Sequence, residues 1–72
     1  MTLYKPGDII FDRYYNENVY LVLEVDDKEK VYNVFALRHR SKVHVAGKKI
    51  NLYLGNEKYY TLLKDANLND LL

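Results

Sequence analysis

The segment Val19-Tyr20-Leu21-Val22-Leu23-Glu24-Val25 constrains the fold more than any other part of the chain. It is dense in β-branched and aromatic residues, which suit the pleated, half-buried surface of a sheet, and it is too short for a typical helix. A strand of this kind needs partners, and the sequence offers them at intervals of about ten residues. Ile9-Ile10-Phe11 follows the turn signal Lys5-Pro6-Gly7-Asp8, in which Pro6 fixes its own φ and Gly7 permits a positive one. Arg13-Tyr14-Tyr15-Asn16-Glu17-Asn18 supplies polar turn formers before Val19, and Asp26-Asp27-Lys28-Glu29 reads as a charged hairpin turn. The next strand runs from Val31 to about His39, and Arg38-His39-Arg40-Ser41-Lys42 is too polar to be buried and reads as a loop. Val43 and Val45 then restart a strand that bends at Gly47, with Gly47-Lys48 as a hairpin tip, and continues through Ile50, Leu52 and Leu54.

Residues 57–64 fit two patterns. Tyr59, Leu62, Leu63 and Ala66 have helical spacing behind Asn56, a possible cap, whereas Tyr60 and Leu62 also suit a strand. A strand from Tyr59 to Leu63 is preferred, because a small barrel closes by placing its last strand beside its first. The expected fold is therefore all-β: a small five-stranded antiparallel barrel over residues 1–64. Residues 65–72 follow as a turn or short helix whose Ala66, Leu68, Leu71 and Leu72 cover a barrel end or meet a partner.

Alternation assigns the faces. In the second strand the odd positions, Val19, Leu21, Leu23 and Val25, are all aliphatic, while the even ones, Tyr20, Val22, Glu24 and Asp26, turn polar. The odd face is expected to point into the core. In the third strand Phe35 and Leu37 are expected inside. This leaves Tyr32, and in the fourth strand Tyr53, partly exposed beside the basic loop.

With 72 residues and no cysteine, the chain has room for one domain and no disulfide to staple it. Such a domain buries only roughly 60% of the surface of its unfolded chain, which argues against a large catalytic cleft. The longest apolar run, Val19 to Leu23, is five residues, far from the roughly 20 of a membrane helix. Met1-Thr2-Leu3-Tyr4-Lys5 does not read as a signal peptide, and a cytoplasmic protein is expected, in the host cytoplasm or a virion if the chain is viral. The formal charge of +1 conceals a strong asymmetry. Residues 1–29 hold seven acids against three bases, a net of −4, and residues 57–72 hold three acids against two bases, a net of −1. Between them, residues 30–56 carry six bases and no acid, with His39 and His44 among them. Either this asymmetry steers a partner, nucleic acid or an acidic protein surface, or acidic and basic strands neutralise each other across the sheet.

Lys5-Pro6-Gly7-Asp8-Ile9-Ile10, a short polar loop, and Tyr20-Leu21-Val22-Leu23-Glu24-Val25 together resemble the opening of small SH3-like β-barrels. These include KOW-like and Tudor-like domains and many small bacteriophage-encoded proteins. The likeness covers the first 26 residues, and the later part matches only in strand rhythm. The loop from Asp12 to Asn18 lacks the glycine of the KOW pattern, so the fold is what the resemblance implies. In such domains Gly7 and Asp8 shape the first turn, the carboxylate accepting backbone hydrogen bonds.

Catalytic material is thin. His39, Ser41 and His44 sit in a cationic segment with no acid to orient an imidazole, two histidines five apart make half a zinc site, and the glycines are isolated. No enzyme activity, cofactor, metal, membrane or small-molecule substrate is expected. Arg38, Arg40, Lys42, Lys48 and Lys49 are candidates for phosphate contacts, with Tyr32 and Tyr53 as stacking platforms for unpaired bases. Tyr14 and Tyr15 are candidate anchors of a protein interface, unless one folds back to plug the barrel mouth. The expected function is a binding module whose basic loop and hairpin engage nucleic acid or a nucleoprotein surface. The alternative is a phage-encoded adaptor that holds a host or virion protein through its tyrosines.

Overall fold

The computed structural model describes residues 3–15, 17–41 and 44–65. Among these residues five strands form one antiparallel sheet: β1 (Ile9–Asp12), β2 (Val19–Asp26), β3 (Val31–Arg38), β4 (Lys49–Tyr53) and β5 (Tyr60–Leu62). The order across the sheet is β4-β3-β2-β1-β5, so the last strand does lie beside the first, and β4 and β5 are its two edges. The all-β expectation holds. A six-residue 3₁₀ helix, Leu54–Tyr59, joins β4 to β5, and a second short one spans Leu63–Asp65. The strand reading of the chain near Tyr60 is therefore right, though the strand is shorter than expected and enters from a 3₁₀ turn. The apolar positions Ala66, Leu68, Leu71 and Leu72 lie outside the described residues.

The first turn forms as its residues require. Gly7 has φ +95° and donates its N–H to the Val22 carbonyl at 2.8 Å, while Asp8 Oδ2 accepts the Lys5 N–H at 3.0 Å. The β2–β3 hairpin turns at Asp27–Lys30, where Asp26 Oδ1 accepts the Glu29 N–H at 2.9 Å and Lys30 takes a left-handed φ of 60°.

The core faces are the reverse of the sequence expectation. Tyr20 and Val22 on β2, and Tyr32, Val34 and Ala36 on β3, are buried with Tyr4, Ile10 and Leu52. Phe35 is half-buried, and Leu23 and Leu37 are exposed at 38% and 44%. Two bulges explain the reversal. Val22 pairs with Val34 and Glu24 with Asn33, so Leu23 is an extra residue on β2; Tyr20 pairs with Ala36 and Val19 with Arg38, so Leu37 is an extra residue on β3. Each bulge shifts the side-chain alternation by one. Glu24 and Arg38, whose polarity made the even faces look solvent-bound, lie beyond those shifts and say nothing about Tyr20, Val22, Val34 or Ala36. Past the Leu23 bulge it is Val25, opposite Tyr32, that packs on the core.

The chain before β4 also departs from expectation. His44–Gly47 form a turn, Gly47 has φ +82°, and the strand starts only at Lys49. Gly47 and Lys48 lie against β3, bonded to Ala36 through Gly47 N–H at 2.8 Å and the Lys48 carbonyl at 2.9 Å, so they lead into the strand and are no hairpin tip. Val43 lies outside the described residues, and Val45 packs against the core from the turn.

Candidate functional site

The loop from Asp12 to Asn18 organises the surface that the basic segment reaches. Asp12 Oδ1 accepts the N–H groups of Tyr14 at 2.7 Å and Tyr15 at 3.2 Å, a local carboxylate turn that fixes the backbone carrying the two rings. Tyr14, 73% exposed, meets Tyr59 with centroids 5.9 Å apart, and Lys58 Nζ lies 5.4 Å above the Tyr59 ring. Tyr15 carries the Arg40 guanidinium 4.1 Å from its centroid. Adjacent tyrosines thus join two separate cations to one loop. Neither Tyr14 nor Tyr15 is buried.

Asn18 closes this arrangement. It is 5% exposed, and its Oδ1 accepts the Arg40 N–H at 2.8 Å. Its own N–H donates to the Tyr15 carbonyl at 2.8 Å. On the basic turn, His39 Nδ1 accepts the Ser41 N–H at 3.0 Å, and the imidazole packs 6.0 Å from the Tyr20 ring. Between the two loops lies an open cleft of about 610 Å³, lined by Glu17, Leu37, Arg38, His39, Arg40 and Ala46.

The register also settles where the charges lie. The turn Asp26–Lys30, with three acids (Asp26, Asp27, Glu29) and two bases (Lys28, Lys30), is at one end of the β2–β3 ladder, while Arg38 pairs with Val19 at the other. Arg38 lies seven residue steps along β3 from Val31, about 23 Å at the rise of an extended chain. No acidic residue of β2 is paired with a base of β3: Glu24 faces Asn33, and Asp26 faces Val31. Arg38 and Arg40 are exposed at the cleft, and Lys48 and Lys49 are exposed where the connection re-enters the sheet. Lys42 lies outside the described residues.

Two predicted stacking residues are misplaced. Tyr32 is 1% exposed, so it has no face to offer a base. Its hydroxyl donates to Glu57 Oε2 at 2.8 Å and accepts the N–H groups of Leu3 and Tyr4 at 3.2 Å each. Leu3 N–H also reaches Glu57 Oε2 at 2.8 Å, and Tyr4 Oη donates to the Tyr60 carbonyl at 2.9 Å. Burial, with the neighbouring Glu57 carboxylate adding to it, pushes the Tyr32 phenol up to about 12. Tyr32 is thus a fastener for the N-terminal segment. Tyr53 is exposed, at 68%, but it pairs with Val31 and so lies at the acidic end of the ladder.

Sequence reasoning missed Glu17, Asn18, Leu37 and Ala46. Glu17 and Asn18 read as ordinary turn formers, and Leu37 as core; only the Leu37 bulge turns that side chain outward. Sequence reasoning also kept Tyr14 and Tyr15 apart from the basic segment, whereas the structure joins Tyr15 to Arg40. Comparison of this chain with protein-family models, with curated proteins and with solved structures finds no match.

Proposed function

We propose that this protein is a non-catalytic binding module whose basic connection, from Arg38 to Lys49, engages nucleic acid or a nucleoprotein surface. The observation that carries this reading is the placing of Arg38 and Arg40, both exposed, at the end of the β2–β3 ladder away from the Asp26–Lys30 turn and its three acids. Such a separation produces a directional field that steers a polyanion toward one end of the molecule. Strand order supports the likeness to SH3-like barrels, since the fifth strand is added beside the first after a four-strand meander.

A salt titration tests the reading. Binding of labelled single- and double-stranded nucleic acid should weaken steeply as salt rises, with a slope that reflects the number of phosphates neutralised. Arg38→Glu with Arg40→Glu should reduce both affinity and slope. Absence of binding at low ionic strength refutes the reading.

The exposure of Tyr14 favours one second reading, a phage-type adaptor that grips a host or virion protein through Tyr14 and Tyr15. Under it, Tyr14→Ala with Tyr15→Ala abolishes capture of the protein partner, and nuclease treatment leaves capture unchanged.

A further inference from the structure

The cleft between the two loops has a composition that phosphate binding alone does not explain. Arg38 and Arg40 suit phosphates, yet the same cleft is lined by the apolar side chains of Leu37 and Ala46 and by the carboxylate-bearing Glu17. A duplex presents mainly its phosphate–sugar backbone to a basic turn, leaving an apolar lining unused and a carboxylate repelled. An unpaired nucleotide meets all three features at once. Its base has a flat face for Leu37 and Ala46, its phosphate reaches the guanidinium groups, and an exocyclic amino group donates to a carboxylate. A volume of about 610 Å³ lies within the range of small-ligand sites.

The cleft is also built in advance. Asn18 Oδ1 fixes the Arg40 backbone, and the Tyr15 ring supports the Arg40 side chain, so the Arg40 wall is held against the tyrosine loop before any ligand arrives. Binding to a prepared site costs less ordering than binding to free loops. Along the same loop, Tyr14 exposes most of its ring beside Tyr59 and Lys58, where a second base has an aromatic surface and a cation.

We infer that this cleft takes one unpaired nucleotide with an amino-bearing base, so that the protein selects single-stranded nucleic acid over duplex, with Glu17 reading the amino group. The inference rests on the basic connection being a nucleic-acid surface. The test is fluorescence anisotropy with three labelled probes: oligodeoxycytidylate, oligodeoxythymidylate of the same length, and a mixed-sequence duplex. Oligodeoxycytidylate should bind about tenfold more tightly than the duplex, a difference of about 1.4 kcal/mol, and more tightly than oligodeoxythymidylate. Glu17→Ala should strengthen binding of oligodeoxythymidylate by removing repulsion while erasing the preference for oligodeoxycytidylate. Circular dichroism of the variant confirms that the fold is kept.

Equal, salt-sensitive binding of single strand and duplex overturns the inference and leaves the polyanion reading standing. Equal affinity for the two single strands overturns it, as does a Glu17→Ala variant that gains affinity for both in the same proportion. Absence of binding by all three probes at low salt overturns both readings.

Discussion

Asn18 Oδ1 accepts the backbone N–H of Arg40 at 2.8 Å, across 22 residues of sequence, and so ties the tyrosine loop to the basic turn. Asn18→Ala should destabilise the fold by about 1–3 kcal/mol, because it removes the acceptor and opens a buried site. Asn18→Asp, which keeps an acceptor oxygen, should recover part of that loss. Urea denaturation gives the comparison, and amide exchange at Arg40 should accelerate in the alanine variant alone.

The Tyr32 hydroxyl holds the N-terminal segment to Glu57. Tyr32→Phe keeps the ring in the core and removes that junction, leaving the Tyr4 N–H without its partner, at an expected cost of about 1–3 kcal/mol. Leu3 N–H retains Glu57 Oε2. Hydrogen exchange should therefore speed up more at Tyr4 than at Leu3, and equal protection in the variant would contradict the role given to the hydroxyl.

Strand positions and the first turn are legible in the sequence because β-branched density, Pro-Gly-Asp and the Asp-Asp-Lys-Glu turn act locally. Side-chain facing is not legible, since it depends on where one strand gains a residue over its neighbour. Leu23 and Leu37 carry no local mark of being unpaired; they are chemically as good for a core as Val22 or Val34. The candidate site suffers from the same blindness. Arg38 and Arg40 announce themselves by charge, whereas Leu37 joins them only through the bulge, and Asn18 only through a contact between distant loops.

The facing itself is testable. Ile10 is fully buried in the core, so Ile10→Ala should cost about 2–5 kcal/mol, while Leu23→Ala at an exposed bulge should stay within about 1 kcal/mol. Equilibrium denaturation of the two variants side by side distinguishes this arrangement from the one in which the odd face of β2 is inside.

Alkaline pH should unfold the protein earlier than its exposed groups require. Burial, aided by the Tyr60 phenol and the Asp12 carboxylate, pushes Tyr20 up to about 12, Tyr32 reaches a similar value, and burial also raises Tyr4 and Tyr60. Between the ordinary tyrosine value of 10.0 and about 12 the unfolded chain has released protons that the folded one retains, so stability falls as pH rises. The contribution is intact below 10.0 and is lost as pH climbs through the folded values. Denaturant midpoints measured from neutral pH upward should drop in that window, with the tyrosinate absorbance of the buried rings appearing together with unfolding.

The placing of β1 between β2 and β5 fixes when this domain can fold during synthesis. A nascent chain that has reached the end of β4 has a complete four-strand meander, but one side of β1 lacks a partner, and Tyr4 and Leu3 have no Glu57 or Tyr60 to hold them. Only when Tyr60–Leu62 leaves the ribosome tunnel does Ile10 find Leu62 and the Tyr4 hydroxyl find the Tyr60 carbonyl. Translation of nearly the whole sheet therefore precedes its completion, and an arrest before Tyr60 would leave β1 as a free strand edge open to pairing with another nascent chain.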